Sequence, residues 1–489
     1  SCSREAGWKR GSTAQNPRCF STGSLQSSDK SEKTYIQMEN NYTLPPGPKG
    51  LPIVGNTLQF RRDPLHFVRE MQQTYGRMVT VHFGKLPVVM FFRPEHVRYF
   101  LVENPRNFVK PGLGNLRFLL GDGLLTTDGD FHRQQRRLVQ PAFHKRRVEG
   151  YADTMVQLTE EMVVQWQPES EVDMAQEMQQ LTLRIIMKAL FNLDSPSQSA
   201  SLGQAFNLMI TNSSRTVGSV RRLRLDLPFT PYGRVMAGKR TLDTFVYDLI
   251  KQRRAEGRDV GDVLSMLLQA QDEGNTMTDK QVHDQVLTFL AAGHETAQNT
   301  MSWTFYLLSQ HPQVLEKLLS ELRTVLHGRA PSVADMQNLP YLEGVINESW
   351  RVYPPAWTLS RRAVEAFDLD GYHFQAGTIA IFSQWVLHHL PDIWGDPDVF
   401  RPERWDPVNG QQVPQWAYFP FGGGPRICIG MPFAELETRL LLATILQHFT
   451  PRLVPGFTVV PQPRVTLRPK YGMRMILEKA PAEIPTQVG

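Results

Sequence analysis

The sequence predicts a mainly α-helical protein with small β-sheets, and three features carry that expectation. Apolar residues recur at helical spacing from about Phe131 to Leu267, broken by turn-rich segments near Pro196 and Pro228–Pro231. A second pattern, Thr276–Gln310, is long and apolar on several faces, so it is expected to cross the protein interior. Strand-like alternation is confined to short runs. Met78–Phe83 and Pro87–Phe92, around Gly84-Lys85, read as a hairpin.

The remaining elements follow from punctuation residues. Thr278-Asp279 can cap the long helix and His311-Pro312 ends it. Leu342–Val352 forms a further helix, stopped by Pro354-Pro355. Leu369–Ile381 contains short strands around Gly371 and Gly377. A last helix covers Met431–Phe449, with Pro432 tolerated in its first turn. Val465–Glu478 alternates enough to be a hairpin.

At 489 residues the chain can bury a large core, and length by itself suggests two to four domains. Neither an internal repeat nor a long linker supports a division, so 43–480 reads as one domain and 481–489 as a tail. Residues 1–37 are Ser-rich, polar and unpatterned, and Pro45-Pro46-Gly47-Pro48 closes off a flexible leader over 1–42. Two origins fit this leader. Met38 can serve as a native start below an artificial extension, or the basic stretch ending Arg18-Cys19-Phe20-Ser21 is similar to a mitochondrial processing site. Glu5, Asp29 and Glu32, with no clear amphipathic helix, favour the first origin and a cytoplasmic over a mitochondrial protein.

Composition excludes several function classes. Lys and Arg total 53 against 48 Asp and Glu, and a net charge of +5 is too mild to imply nucleic acid. No run reaches the roughly 18 to 20 apolar residues of a membrane span, so no transmembrane anchor is expected. Of the three cysteines, Cys2 and Cys19 lie in the leader. The body therefore holds one thiol, Cys428, and no disulfide framework. Zinc is poorly supported, since neither a Cys-x-x-Cys pair nor a His-Glu-x-x-His helix occurs.

A lone internal cysteine is commonly just a small buried hydrophobe, but the surroundings of Cys428 say otherwise. It lies in Phe421-Gly422-Gly423-Gly424-Pro425-Arg426-Ile427-Cys428-Ile429-Gly430. The glycines let the backbone fold tightly and approach a flat ligand closely. Cys428 directly precedes a helix, whose N-terminal dipole and free N–H groups, beginning near Gly430, favour a thiolate. Arg426 can reach an anionic substituent of the same ligand, and Phe421 can pack beside the sulfur and limit water. A phosphate loop would need a following Gly-Lys-Ser/Thr, which is missing. A nucleophilic cysteine would need a histidine base that the sequence cannot place.

At every fixed position this decapeptide resembles the haem-binding loop of the cytochrome P450 family. Other segments agree in order and spacing. Glu348-Ser349-Trp350-Arg351 resembles the family's Glu-x-x-Arg helix. Phe400–Trp405 resembles its Pro-Glu-Arg segment, with Trp405 where Phe is commoner. Ala292-Gly293-His294-Glu295-Thr296 is similar to its oxygen-activation motif. The resemblance spans roughly 43–480 and implies a cytochrome P450 fold, with the long central helix over haem b (iron protoporphyrin IX) and Cys428 as the metal ligand. Glu348 and Arg351, three apart on one helix face, can pair; the resemblance buries them with Arg404 in a structural network. It makes Thr296 a hydrogen-bond partner of dioxygen or water and Glu295 a proton relay, with His294 turned away. It gives the haem propionates to His132 and Arg136, one helical turn apart, and to Arg361, while Arg133, Arg137, Lys145, Arg146 and Arg147 would face a redox partner.

By family position the substrate pocket would draw on Phe118, Leu119, Met209, Ala292, Ala356, Trp357, Leu359 and Met473, mostly apolar and so suited to a hydrophobic small molecule. The pattern looks like the soluble, bacterial-type, fatty-acid-oxidising branches, with terpene, steroid or polyketide substrates open. The expected reaction inserts one atom of O2 by hydroxylation or epoxidation. No flavin or nicotinamide domain follows, so a separate ferredoxin or flavodoxin system with its reductase would donate electrons to a monomeric enzyme. The alternatives are a peroxide-driven enzyme, a haem-thiolate isomerase or dehydratase, or a haem sensor. Retention of Glu295-Thr296 favours oxygen activation over these.

Overall fold

The apolar periodicity of the middle of the chain produces a 32-residue helix, Asp279–Gln310, in the computed structural model. Thr278 caps it through a reciprocal box with Gln281, and it stops at His311, because Pro312 begins the next helix, Pro312–Leu326. The structure describes residues 44–481 apart from 113, 194, 196, 198–200, 207, 210–225 and 273. The expected leader, the turn at Pro196 and residues 482–489 of the expected tail lie outside the described residues.

The helix Met174–Phe191 packs along the central helix, and Pro231–Glu256, Pro340–Val352 and Met431–His448 also contact it. Two apolar clusters result. One surrounds Trp303, Phe305, Met155 and Leu440–Leu442. The other surrounds Val286, Leu290, Phe191 and Leu242. Each large apolar side chain so buried contributes about 1.5–3 kcal/mol, so these helices fix the path of the central helix through the interior.

A third cluster lies on a five-stranded sheet. Its order is Met78–Phe83, Leu86–Phe91, Ile379–Phe382, Leu359–Ala363 and Phe108–Val109. The first two strands form the expected hairpin. Ala380 pairs with Arg361 and Val109 with Arg362, so the sheet edge sets Arg361 beside the residue following Val109, Lys110. Val465–Glu478 does not form one hairpin, correcting the sequence reading. Leu467–Pro469 pairs with Pro461–Pro463, whereas Arg474–Lys479 joins Phe449–Leu453 and Glu171–Asp173. The two halves part at Gly472, whose left-handed backbone (φ 76°) lies against the Asp173 carboxylate.

Behind the cysteine loop, Glu348 and Arg351 are fully buried. Arg351 Nε and Nη2 donate to the two Glu348 oxygens at 2.9 and 2.8 Å. The remaining guanidinium protons go to the carbonyls of His388, Pro397 and Val399. Glu348 also accepts from Arg404 Nε at 3.2 Å, the Arg401 amide at 3.0 Å and Trp405 Nε1 at 2.9 Å. Tryptophan at 405 thus adds a donor that phenylalanine lacks. Every group of this charged cluster is partnered, the condition under which a buried ion pair is tolerated.

Candidate active site

The cysteine loop folds around positions where a side chain will not fit. Gly424 has φ 63°, and a Cβ there would meet the Leu101 carbonyl at 1.8 Å. At Gly423 a Cβ would meet the Trp416 ring at 2.2 Å. The Cys428 amide donates to the Phe421 carbonyl at 3.0 Å, and the Phe421 ring meets Trp350 edge-on at 4.9 Å. The loop is thereby braced on the Glu348–Arg351 helix. Cys428 lies deep within the fold yet has open side-chain surface, because it faces an interior cleft and not bulk water. Burial pushes its thiol up, while the Gly430 and Met431 amides and Arg136 pull it down. Those amides open the helix Met431–His448, as the sequence suggested.

Beside the thiol stands a cluster of buried and half-buried basic side chains, Lys110, Arg136, Arg361 and Arg426, with His132 among them. Arg136 Nη1 donates to the Ile427 carbonyl at 2.8 Å. Arg426 does not extend alone: it pairs with Asp128 and bonds the Leu124 and Thr127 carbonyls. Arg361 is buried, with its Nη1 on the Ser360 carbonyl. Lys110, which no sequence signal marked, donates to the Leu125 carbonyl at 2.6 Å. Burial lowers all of them, and for all but Arg136 neighbouring positive charge adds to it: Lys110 falls to about 7 and His132 to about 3, chiefly by burial and then by Arg426. Arg361 falls to about 10 for the same two reasons. Asp128 offsets the charge at Lys110, Arg361 and Arg426, and Cys428 offsets it at Arg136.

A pH dependence follows. An unfolded lysine titrates at its ordinary 10.5 and Lys110 in the fold at about 7, so between these values the unfolded chain binds more protons. Apoprotein stability therefore rises with pH across that window, and His132 acts alike between about 3 and 6.5. Lys110→Met is expected to raise the apoprotein unfolding temperature most at pH 7 and progressively less towards pH 10. Thermal scans showing an equal effect at all pH values would contradict this.

On the central helix, burial is interrupted from Ala291 to Thr296. Ala292 is exposed and Ala291, Gly293, Glu295 and Thr296 are partly so, although both flanking stretches are largely core. Ala291 and Ile429, the neighbour of the cysteine, pack on the same apolar cluster. Thr296 Oγ1 donates to the Ala292 carbonyl at 2.8 Å. Glu295 Oε1 accepts from Thr466 Oγ1 at 2.7 Å, a partner the sequence did not suggest. His294 turns inward, with Nδ1 at 2.6 Å from the Leu290 carbonyl and its ring against Phe206.

The expected pocket residues separate into two groups. Phe118 is 44% exposed, Ala292 is exposed, and Ala356 and Leu359 are partly so. Leu119, Met209, Trp357 and Met473 are enclosed by protein and offer a substrate almost no surface, which corrects their assignment. Trp357 is held by its Nε1 on the Arg464 carbonyl at 2.9 Å, and Met473 packs in the Trp303 cluster. The basic residues of the expected partner surface are all exposed, and most also pair with a carboxylate of this chain. Arg133 pairs with Asp130, Arg137 with Asp272, Lys145 with Glu149 and Arg147 with Asp259, while Arg146 is exposed.

The arrangement fits haem b. A largely enclosed cluster of basic side chains with few carboxylates beside it calls for anions, and protoporphyrin brings two carboxylates. Glycine backbone and an open alanine–glycine stretch admit a flat ring, and a thiol with two amide donors supplies a sulfur ligand. The comparisons agree. The family model for cytochrome P450 matches residues 45–475. Cyclooctatin synthase of Streptomyces melanosporofaciens is 36% identical over 432 residues, 87% of this chain and 93% of that protein. Cyclooctat-9-en-7-ol 5-monooxygenase of the same organism is 35% identical, covering 87% and 94%. Pentalenene oxygenase of Streptomyces avermitilis is 32% identical, covering 92% and 100%. The solved structure of retinoic acid-bound cyanobacterial CYP120A1 superposes with a TM-score of 0.81 at 28% identity, covering 90% and 100%. With fold, thiol loop and relatives in agreement, the chain belongs to the cytochrome P450 family of haem-thiolate monooxygenases.

Proposed function

We propose that this enzyme inserts one oxygen atom of O2 into an alicyclic, terpene-type hydrocarbon or alcohol, with Cys428 as thiolate ligand. The relatives named for pentalenene and cyclooctat-9-en-7-ol support that substrate class over fatty acids. The observation that carries the reading is the open stretch Ala291–Thr296, where, with His294 turned inward, the accessible side chains are apolar except for one carboxylate and one hydroxyl, on the helix that packs towards the thiol loop.

Bound in this site, haem supplies dioxygen binding and activation under the electron push of the thiolate. His132, Arg136, Arg361, Arg426 and the unforeseen Lys110 hold its carboxylates, and this neutralises the cluster. Phe118, Ala292, Ala356 and Leu359 line the apolar space where substrate rests. Thr296 Oγ1 can turn from the Ala292 carbonyl to hold a proton at the open face, and Glu295 resupplies it. Electrons come from a separate ferredoxin or flavodoxin system, whose acidic surface meets Arg146 and its neighbours.

Thr296→Ala is expected to keep haem and substrate binding while lowering product formed per peroxide released by about 10²-fold. Unchanged coupling would remove Thr296 from proton handling. The substrate class is tested by a ligand screen read through the iron spin state. Polycyclic terpenes should produce the high-spin shift and fatty acids little of it; the reverse order would overturn the assignment.

A further inference from the structure

We propose that Thr466 is a positioning residue for proton delivery: its hydroxyl, aimed by Asn299, anchors the Glu295 carboxylate to the C-terminal segment beside the cleft. This rests on the reading of Glu295 as the proton relay.

Thr466 is buried between the strands Pro461–Pro463 and Leu467–Pro469. Asn299 Nδ2 donates to Thr466 Oγ1 at 3.1 Å. That oxygen already accepts a hydrogen bond, so its own hydrogen is directed to Glu295 Oε1 at 2.7 Å. Asn299 and Glu295 are one turn apart on the same helix face, so a single threonine can bridge them. Its position is fixed on three sides. The Leu467 amide donates to the Pro355 carbonyl at 2.9 Å, Trp303 Nε1 donates to the Leu467 carbonyl at 3.0 Å, and the Arg464 amide donates to the Thr466 carbonyl at 3.0 Å.

The two proton-handling side chains are thus engaged separately, Thr296 on its own helix and Glu295 on the C-terminal segment. Held at Thr466, the Glu295 carboxylate takes up a proton from water; it then leaves Thr466, turns to the Thr296 side and releases that proton there. It returns to Thr466 as the carboxylate. Thr466 keeps its own proton throughout. Asn299 Oδ1 is buried and has no hydrogen-bond partner among the described residues. A hydrogen bond to a charged acceptor is strong enough to set which position the carboxylate occupies, and its loss corresponds to about a tenfold change in occupancy.

The test uses haem-loaded full-length enzyme. The infrared carboxylate band of Glu295 is assigned by its loss in Glu295→Gln. It should shift in Thr466→Val and return in Thr466→Ser. Product per peroxide released should fall about tenfold in Thr466→Val, with the substrate-induced spin shift unchanged, and recover in Thr466→Ser. If Thr466→Val takes up too little haem, Asn299→Leu applies the same test, because the freed hydroxyl should broaden or move the band. An unmoved band, or normal coupling in Thr466→Val alongside impaired coupling in Glu295→Gln, overturns the positioning role. Normal coupling in Glu295→Gln itself instead overturns the relay reading on which it rests.

Discussion

Replacing Arg351 by alanine is expected to yield protein that folds poorly and does not retain haem. The guanidinium is completely enclosed and bonds both Glu348 oxygens and three backbone carbonyls. Its removal leaves Glu348 charged in the interior, with Arg404, Trp405 and the Arg401 amide to hold it. Breaking one side of a buried pair in this way costs about 3–5 kcal/mol, a large fraction of the about 5–15 kcal/mol by which domains stay folded. The damage reaches the cofactor because Trp350, the neighbour of Arg351, braces Phe421 of the thiol loop. Arg351→Lys should be almost as harmful, since one ammonium cannot reproduce the planar fork. Haem content per chain and the thermal midpoint check this. Near-normal values for both in Arg351→Ala would remove the network from the account of haem retention.

The second large effect is at Cys428. Cys428→His should still take up haem, since the cations Lys110, Arg136, Arg361 and Arg426, the His132 donor and the glycine-lined loop are untouched. Imidazole in place of sulfur removes the electron push, so oxygen insertion should fall to background while the protein stays folded. Retained monooxygenase activity in this variant would mean that the sulfur is not the ligand.

The thiol loop and the Glu348–Arg351 pair were legible in the sequence because their residues lie close together along the chain. A decapeptide fixes one, and an i,i+3 spacing fixes the other. The central helix was legible for a similar reason, its cap and its terminating proline being local signals. What the sequence hid are contacts between distant segments. Arg426 meets Asp128 across 298 positions and Glu295 meets Thr466 across 171, and nothing near either residue marks its partner. Lys110 joins the cation cluster only because the strand before it pairs with Leu359–Ala363. The pocket was half legible for another reason. Apolar side chains suit a core and a cleft equally, so residue type could not separate Met209 and Met473, fully enclosed, from Ala292 and Phe118, which are open. At Trp357 a hydrogen bond to a distant carbonyl decided the matter. The alternating run Val465–Glu478 misled similarly, since alternation fixes strand faces but not which sheet each half joins.

The most direct test of the central claim, that Cys428 holds haem as a thiolate, is the absorption spectrum of the haem-loaded, reduced wild-type protein under carbon monoxide. The structure predicts the red-shifted Soret band characteristic of a sulfur-ligated haem, lost in Cys428→His with haem still bound. A wild-type band at the position of an imidazole-ligated haem would contradict it.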